Sequence, residues 1–174
     1  RQNMEAMRAN LKEGTEMIGV VKADGYGHGS VPVACAIDSY VSGYATATPE
    51  EAVILRKHGI TKPILILGVS PESSFSQLIE YDLRPAIFRY ESAERLSELA
   101  VQAGKRASIH IALDTGMSRI GYMVTAAAAD ETARISRTKV PRTARWSCLP
   151  RSFPCFLSGA LRFRFCIVPT VREF

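Results

Sequence analysis

Cysteine is scarce where a fold can be read: Cys35 alone lies in residues 1–138, and Cys148, Cys155 and Cys166 follow later. None has C-x-x-C spacing or a nearby histidine, which argues against a zinc site. A lone cysteine in the folded-looking part also argues against a disulfide framework. No run approaches the roughly 20 apolar residues of a membrane helix. The chain opens on Arg1 rather than methionine, with no basic-then-apolar leader behind it. The expectation is a soluble, cytoplasmic protein with no membrane partner, whose natural start is missing.

Net charge is also lacking where it would matter. The formal total is +5, yet residues 1–138 hold 15 Lys+Arg against 16 Asp+Glu. The excess belongs to residues 139–174, which also hold Trp146, the only tryptophan, and four of the nine prolines. There the arginines are mixed with Phe, Cys and Pro. A nucleic-acid-binding arm wants its basic residues in a polar, solvated context, so no nucleic-acid partner is expected.

What is present in residues 1–138 is an alternation of strand and helix. Strands are expected at Met17–Val21, Val41–Thr46, Pro63–Gly68, Leu83–Phe88 and Ala107–Leu113. Helices are expected between and after them: Val31–Ile37 with Ser30 as cap, Thr48–His58, Pro71–Ile79, a helix capped by Ser92, and Thr125–Ser136. Thr48-Pro49-Glu50-Glu51 reads as a capping box with proline at the first helical position, and Gly59 stops that helix. The pattern argues for a parallel sheet. Its units of about 20–25 residues match a (β/α)8 barrel, with a doubly wound sheet as the alternative. The expected fold class is therefore α/β, a partial (β/α)8 TIM-type barrel of about five βα units over residues 1–138. An irregular tail follows over 139–174. There the alternation of Leu161, Phe163, Phe165 and Ile167 with arginines fits one amphipathic strand. The abrupt change near Thr138 is what a shifted reading frame would produce; a basic arm or an insertion are the alternatives.

Two motifs fall at strand ends, on the rim where α/β proteins bind ligands. The first is Val20-Val21-Lys22-Ala23-Asp24-Gly25-Tyr26-Gly27-His28-Gly29. A lysine amine condenses with the aldehyde of pyridoxal phosphate, and glycines let backbone approach such a cofactor closely. On residue type alone, Lys22 reads equally as a surface lysine before a flexible turn. The second motif is Asp114-Thr115-Gly116-Met117-Ser118-Arg119-Ile120-Gly121, after the fifth strand. Arg119 there suits a phenolic oxygen or a carboxylate, or it is a surface residue of a turn; Met117 reads as packing. Asp-Thr-Gly is also the aspartic-protease triplet, but that chemistry needs a second copy and an all-β setting. His110, among apolar neighbours, reads as a packed histidine, and His28 as orienting its loop.

These motifs, with Tyr44 to Ala52, Ile64 to Gly68 and Tyr81-Asp82 between them in order, resemble the alanine racemase family over residues 1–138. The resemblance implies an N-terminal (β/α)8 barrel, a C-terminal β domain and a homodimer. It implies pyridoxal 5'-phosphate as cofactor, with Lys22 as Schiff-base lysine and catalytic base, Tyr26 at the phosphate and Arg119 beside the phenolic oxygen. Arg119 and Met117 are carried over as substrate-side residues. The reaction implied is interconversion of L- and D-alanine, an isomerase supplying D-alanine to peptidoglycan. The alternatives are a racemase of serine or another amino acid, and a non-catalytic pyridoxal-phosphate-binding remnant. Many members carry a modified lysine two residues before Asp-Thr-Gly; here that position is Ala112. The later barrel strands and the second catalytic base have no recognisable counterpart, so a weakly active or inactive form is expected, with exposed strand edges that favour aggregation.

Overall fold

A computed structural model describes residues 2–123 and 125–137, together with 145–146 and 165–167. Six strands lie in the order in which they occur: β1 (Ile18–Val20), β2 (Gly43–Thr46), β3 (Ile64–Ile66), β4 (Arg84–Ile87), β5 (Ser108–Asp114) and β6 (Tyr122–Met123). Every neighbouring pair is parallel, with Val20 opposite Ala45, Ala45 opposite Leu65, Leu65 opposite Arg84 and Ala86 opposite His110. Two short segments, Arg145–Trp146 and Phe165–Ile167, also run parallel to β5. Leu161 and Phe163 of the expected late strand lie outside the described residues.

This order decides between the two architectures that the sequence leaves open. A doubly wound sheet reverses its strand order at a switch point and carries helices on both faces. Here the order from β1 to β6 never reverses, and the helices share one face. One large core joins Tyr44, Ile64, Ile66, Ile87 and Ile111 of the strands to helix residues such as Leu55, Phe75, Leu78 and Leu96. The opposite face holds a small cluster of Ala45 and Leu65, with Ile18 and Leu67 against it. That is the asymmetry of a barrel wall: a thick helix-covered outside and a thin inner layer.

The helices form where expected, but two of their caps come from elsewhere. The Pro49–Lys57 helix has Thr48 at its cap and proline in its first turn, and Gly59 follows at φ +85°. The Ser30–Ile37 helix is not capped by Ser30. Gly29 occupies the cap position, and the Asp24 carboxylate accepts the Ser30 N–H at 2.8 Å. The Tyr90–Gln102 helix begins before Ser92, which does not cap it, and a Glu131 oxygen accepts its Tyr90 N–H at 2.9 Å. The stretch expected as one helix from Pro71 splits into a 3-10 turn, Glu72–Ser74, and a helix, Phe75–Glu80. A first helix, Gln2–Ala9, and strand β6 carry too short or too polar a pattern to be read in advance.

The end of the sheet where the strands begin is tied by a single guanidinium. Arg56, half-buried, donates from Nε to the Tyr81 carbonyl at 2.9 Å. Its Nη1 reaches the carbonyls of Ile60 and Lys62, both at 2.7 Å, and Nη2 that of Asp82 at 3.0 Å. Nearby, Lys62 pairs with the Asp38 carboxylate at 3.0 Å, and the Tyr44 hydroxyl donates to it at 2.7 Å. The Tyr44 bond and Lys62 hold the Asp38 carboxyl below its ordinary range, while burial and Asp38 push the Tyr44 phenol upward.

Candidate active site

Because all strands are parallel, their C-terminal ends share one rim, and both sequence motifs fall on it. Lys22 stands two residues past the end of β1 and is half-buried. The chain then makes a left-handed turn: Ala23, Asp24, Gly25, Tyr26 and Gly27 all have positive φ, between 50° and 83°. Each non-glycine residue in that conformation costs about 1–2 kcal/mol, so three of them survive only if other bonds hold the turn. The Gly25 N–H donates to the Val21 carbonyl at 2.9 Å and the Gly29 N–H to the Asp24 carbonyl at 2.8 Å. The His28 ring lies 3.2 Å from the Gly25 carbonyl through Nδ1, so this histidine does brace its loop. The turn brings Tyr26, largely exposed, back beside Lys22, with Nζ 6.0 Å from the ring centroid.

The second motif leaves β5 at Asp114. Its Oδ1 accepts the backbone N–H groups of Gly116 and Ser118, both at 2.9 Å, and these bonds hold the carboxyl below its ordinary range. The loop closes at Gly121, where φ is +119° and a Cβ would lie 2.6 Å from the Asp114 nitrogen. Only glycine fits there without moving backbone. An aspartate so engaged is a loop staple, which leaves it unsuited to the proton sharing of an aspartic protease. Met117 and Arg119 line one shallow cleft with Leu113, Asp114, Thr115 and Ile120. Met117 is 43 % exposed, so the packing role read from its residue type is not what the structure shows. Ala112 is buried in β5, and His110 is buried two residues before it. With alanine at position 112, the backbone bonds to Asp114 are what order the Arg119 loop.

A linkage consequence follows for Asp114. A carboxyl lowered in the native loop contributes order that is fully present above its unfolded pKa, about 3.9. That order is lost as pH falls through the lower native value. The Gly116 and Ser118 amide resonances are therefore expected to shift with a common midpoint below about 3.9; a midpoint above it refutes the staple.

The structure thus brings together Lys22 with Tyr26 and, separately, Met117 with Arg119. It sets the two pairs on one rim, after β1 and after β5, without direct contact between them among the described residues.

The family model for the N-terminal domain of alanine racemase matches residues 1–145. The chain belongs to the alanine racemase family. Alanine racemase 1 of Clostridium acetobutylicum is 46 % identical over 136 residues, which are 78 % of this chain and 35 % of that protein. The solved alanine racemase of Clostridium difficile 630 superposes with a TM-score of 0.78 at 33 % identity, over 80 % of this chain and 37 % of the other. That of Bacillus anthracis, solved with bound L-Ala-P, gives 0.75 at 28 % identity, over 85 % and 38 %. The chain spans about a third of the length of the curated alanine racemases it matches. The six-strand parallel sheet is accordingly the barrel portion of an alanine racemase N-terminal domain. No helix among the described residues is long and apolar enough to cross a membrane.

The sequence did not show that Asp24, Asp114 and Glu51 hold these turns, although Asp114 opens the Asp-Thr-Gly triplet and Glu51 ends the capping box. The Glu51 carboxylate does not return to its own cap residue. Oε2 accepts the Ala47 N–H at 2.8 Å, and Oε1 accepts the Ala23 N–H at 2.9 Å, across 28 residues of chain.

Proposed function

We propose that this chain carries the cofactor-holding part of a pyridoxal phosphate-dependent alanine racemase, which interconverts L- and D-alanine for peptidoglycan in the cytoplasm as a homodimer. The observation that supports this most is the left-handed turn, which sets a half-buried lysine amine beside a tyrosine on the ligand-binding rim. The donor set fits the group. A primary amine suits an aldehyde, a phenol hydroxyl suits a phosphate, and a guanidinium suits a phenolic oxygen or carboxylate. There is room as well: a Cβ added at Gly27 or Gly116 would meet no atom within 4 Å, so both turns face open space.

Pyridoxal phosphate supplies an electron sink for the pair left when an amino acid gives up its α-proton. The residues of this chain hold and orient. Lys22 Nζ would hold the group by its aldehyde carbon, and the free amine would be placed to take or return the α-proton on one face. Tyr26 Oη would donate to the phosphate. Arg119 would hold the phenolic oxygen and the substrate carboxylate, and Met117 would border the small side-chain space. Racemisation needs a base on each face of the α-carbon, and Lys22 serves one.

The test is α-proton exchange in deuterated water, with pyridoxal phosphate and L-alanine, L-serine or L-histidine, read by mass spectrometry. Exchange of alanine above that of serine and histidine supports the reading. Faster exchange of serine or histidine, or none above free cofactor, overturns it.

A further inference from the structure

We infer that Glu51 is a positioning residue, whose carboxylate locks the left-handed turn that aims Lys22 and Tyr26. This rests on the cofactor reading for its consequence but not for its geometry. One carboxylate bridges two adjacent strand ends. Oε1 takes the N–H of Ala23, the first left-handed residue after Lys22, and Oε2 takes that of Ala47, just past β2. Glu51 sits in the first turn of the Pro49–Lys57 helix and is half-buried. The Thr48 hydroxyl receives the Glu51 N–H at 3.4 Å, which fixes the backbone from which the carboxylate reaches out.

The bonding pattern gives Glu51 its specific role. Within the turn the later amides are served locally: Gly25 by Val21, Gly27 by Ala23 and Asp24, Gly29 by Asp24. At its entry, Ala23 at φ 50° is a non-glycine residue whose N–H goes to a side chain on another βα unit. A charged acceptor makes a shorter, stronger bond than a neutral one. Without it, Ala23 keeps the cost of its left-handed backbone and loses what offsets it. The residue that would then drift is Lys22, the immediate chain neighbour of Ala23, whose Nζ lies 6.0 Å from the Tyr26 ring centroid.

The test has two arms on the whole chain, with Glu51→Ala and Glu51→Gln. In the cofactor-free protein, amide hydrogen exchange at Ala23 and Ala47 is expected to rise roughly tenfold in Glu51→Ala, the worth of one net hydrogen bond. Exchange in β3 and β5 stays unchanged. Glu51→Gln keeps one acceptor oxygen and is expected to restore one of the two amides. In the second arm, borohydride trapping of pyridoxal phosphate on Lys22 slows roughly tenfold in Glu51→Ala, with partial recovery in Glu51→Gln. Unchanged protection at Ala23, a rise spread evenly over the core, or wild-type trapping in Glu51→Ala overturns the proposal. Failure of the wild type to be trapped overturns the cofactor reading instead, and the exchange arm then decides the role of Glu51 by itself.

Discussion

Replacing Lys22 with alanine is expected to abolish covalent retention of pyridoxal phosphate and to cut any α-proton exchange by about 10²- to 10⁴-fold, the usual worth of a positioned acid–base group. Thermal stability is expected to change by no more than about 0.5 kcal/mol, because the side chain is only half-buried and its ammonium lies 6.0 Å from the Tyr26 ring centroid. The separation of these two effects is what identifies a reacting residue. The other described lysines offer poor substitutes. Lys62 Nζ is held by Asp38 and the Val41 carbonyl, and Lys105 Nζ by the Glu80 carbonyl, both at strand beginnings. Lys12 and Lys57 are exposed away from the rim. Borohydride reduction followed by peptide mass mapping checks this directly. A modified peptide containing Lys62, Lys57 or Lys105 at wild-type yield in Lys22→Ala would remove Lys22 from its role.

Arg56→Ala is expected to have the opposite profile. It leaves four backbone carbonyls, at Ile60, Lys62, Tyr81 and Asp82, without the group that joins them. Hydrogen bonds to a charged donor contribute about 1.5–3 kcal/mol each when deeply buried. Here the site is only half-buried, and water replaces part of the set. A loss of about 3 kcal/mol overall is a reasonable expectation, or a fall of roughly 10 °C in melting temperature for a domain of this size. Arg56→Lys is expected to recover little of it, since one ammonium does not reproduce the planar fork that reaches four acceptors. Because these carbonyls precede β3 and β4, at the end of the sheet away from Lys22, trapping of pyridoxal phosphate is expected to survive wherever the protein stays folded. A melting temperature within a degree or two of wild type would refute the clamp.

The sequence revealed much of the strand and helix order because burial has a period. Ile64, Leu65 and Ile66 form a run buried on both faces, and Leu96, Leu99 and Ala100 recur at helical spacing. Pro49 and Gly59 mark helix ends by chain stereochemistry alone. What stayed hidden were interactions between distant residues. Tyr90 receives its cap from Glu131, Ser30 from Asp24, and Ala23 from Glu51, none of which a local window displays. The left-handed turn was hidden for a related reason. Ala23, Asp24 and Tyr26 have no intrinsic preference for positive φ over other conformations, so only the bonds made on folding select it. For the candidate site, the positions of Lys22 and Arg119 on the rim were legible from strand ends, while the staples that order them were not.

The uninterrupted order β1 to β6 has a consequence for how the chain acquires its shape. Each of these strands docks on one already made, about 20–25 residues earlier in the chain for β2 to β5 and closer still for β6. Loop closure over such short spans carries a modest entropic penalty. A growing polypeptide emerging from the ribosome can therefore extend the sheet strand by strand, each new edge serving as the template for the next. The Ala23–Glu51 bond joins the first two of these units, so the Lys22 turn is able to set once β2 and its helix have emerged.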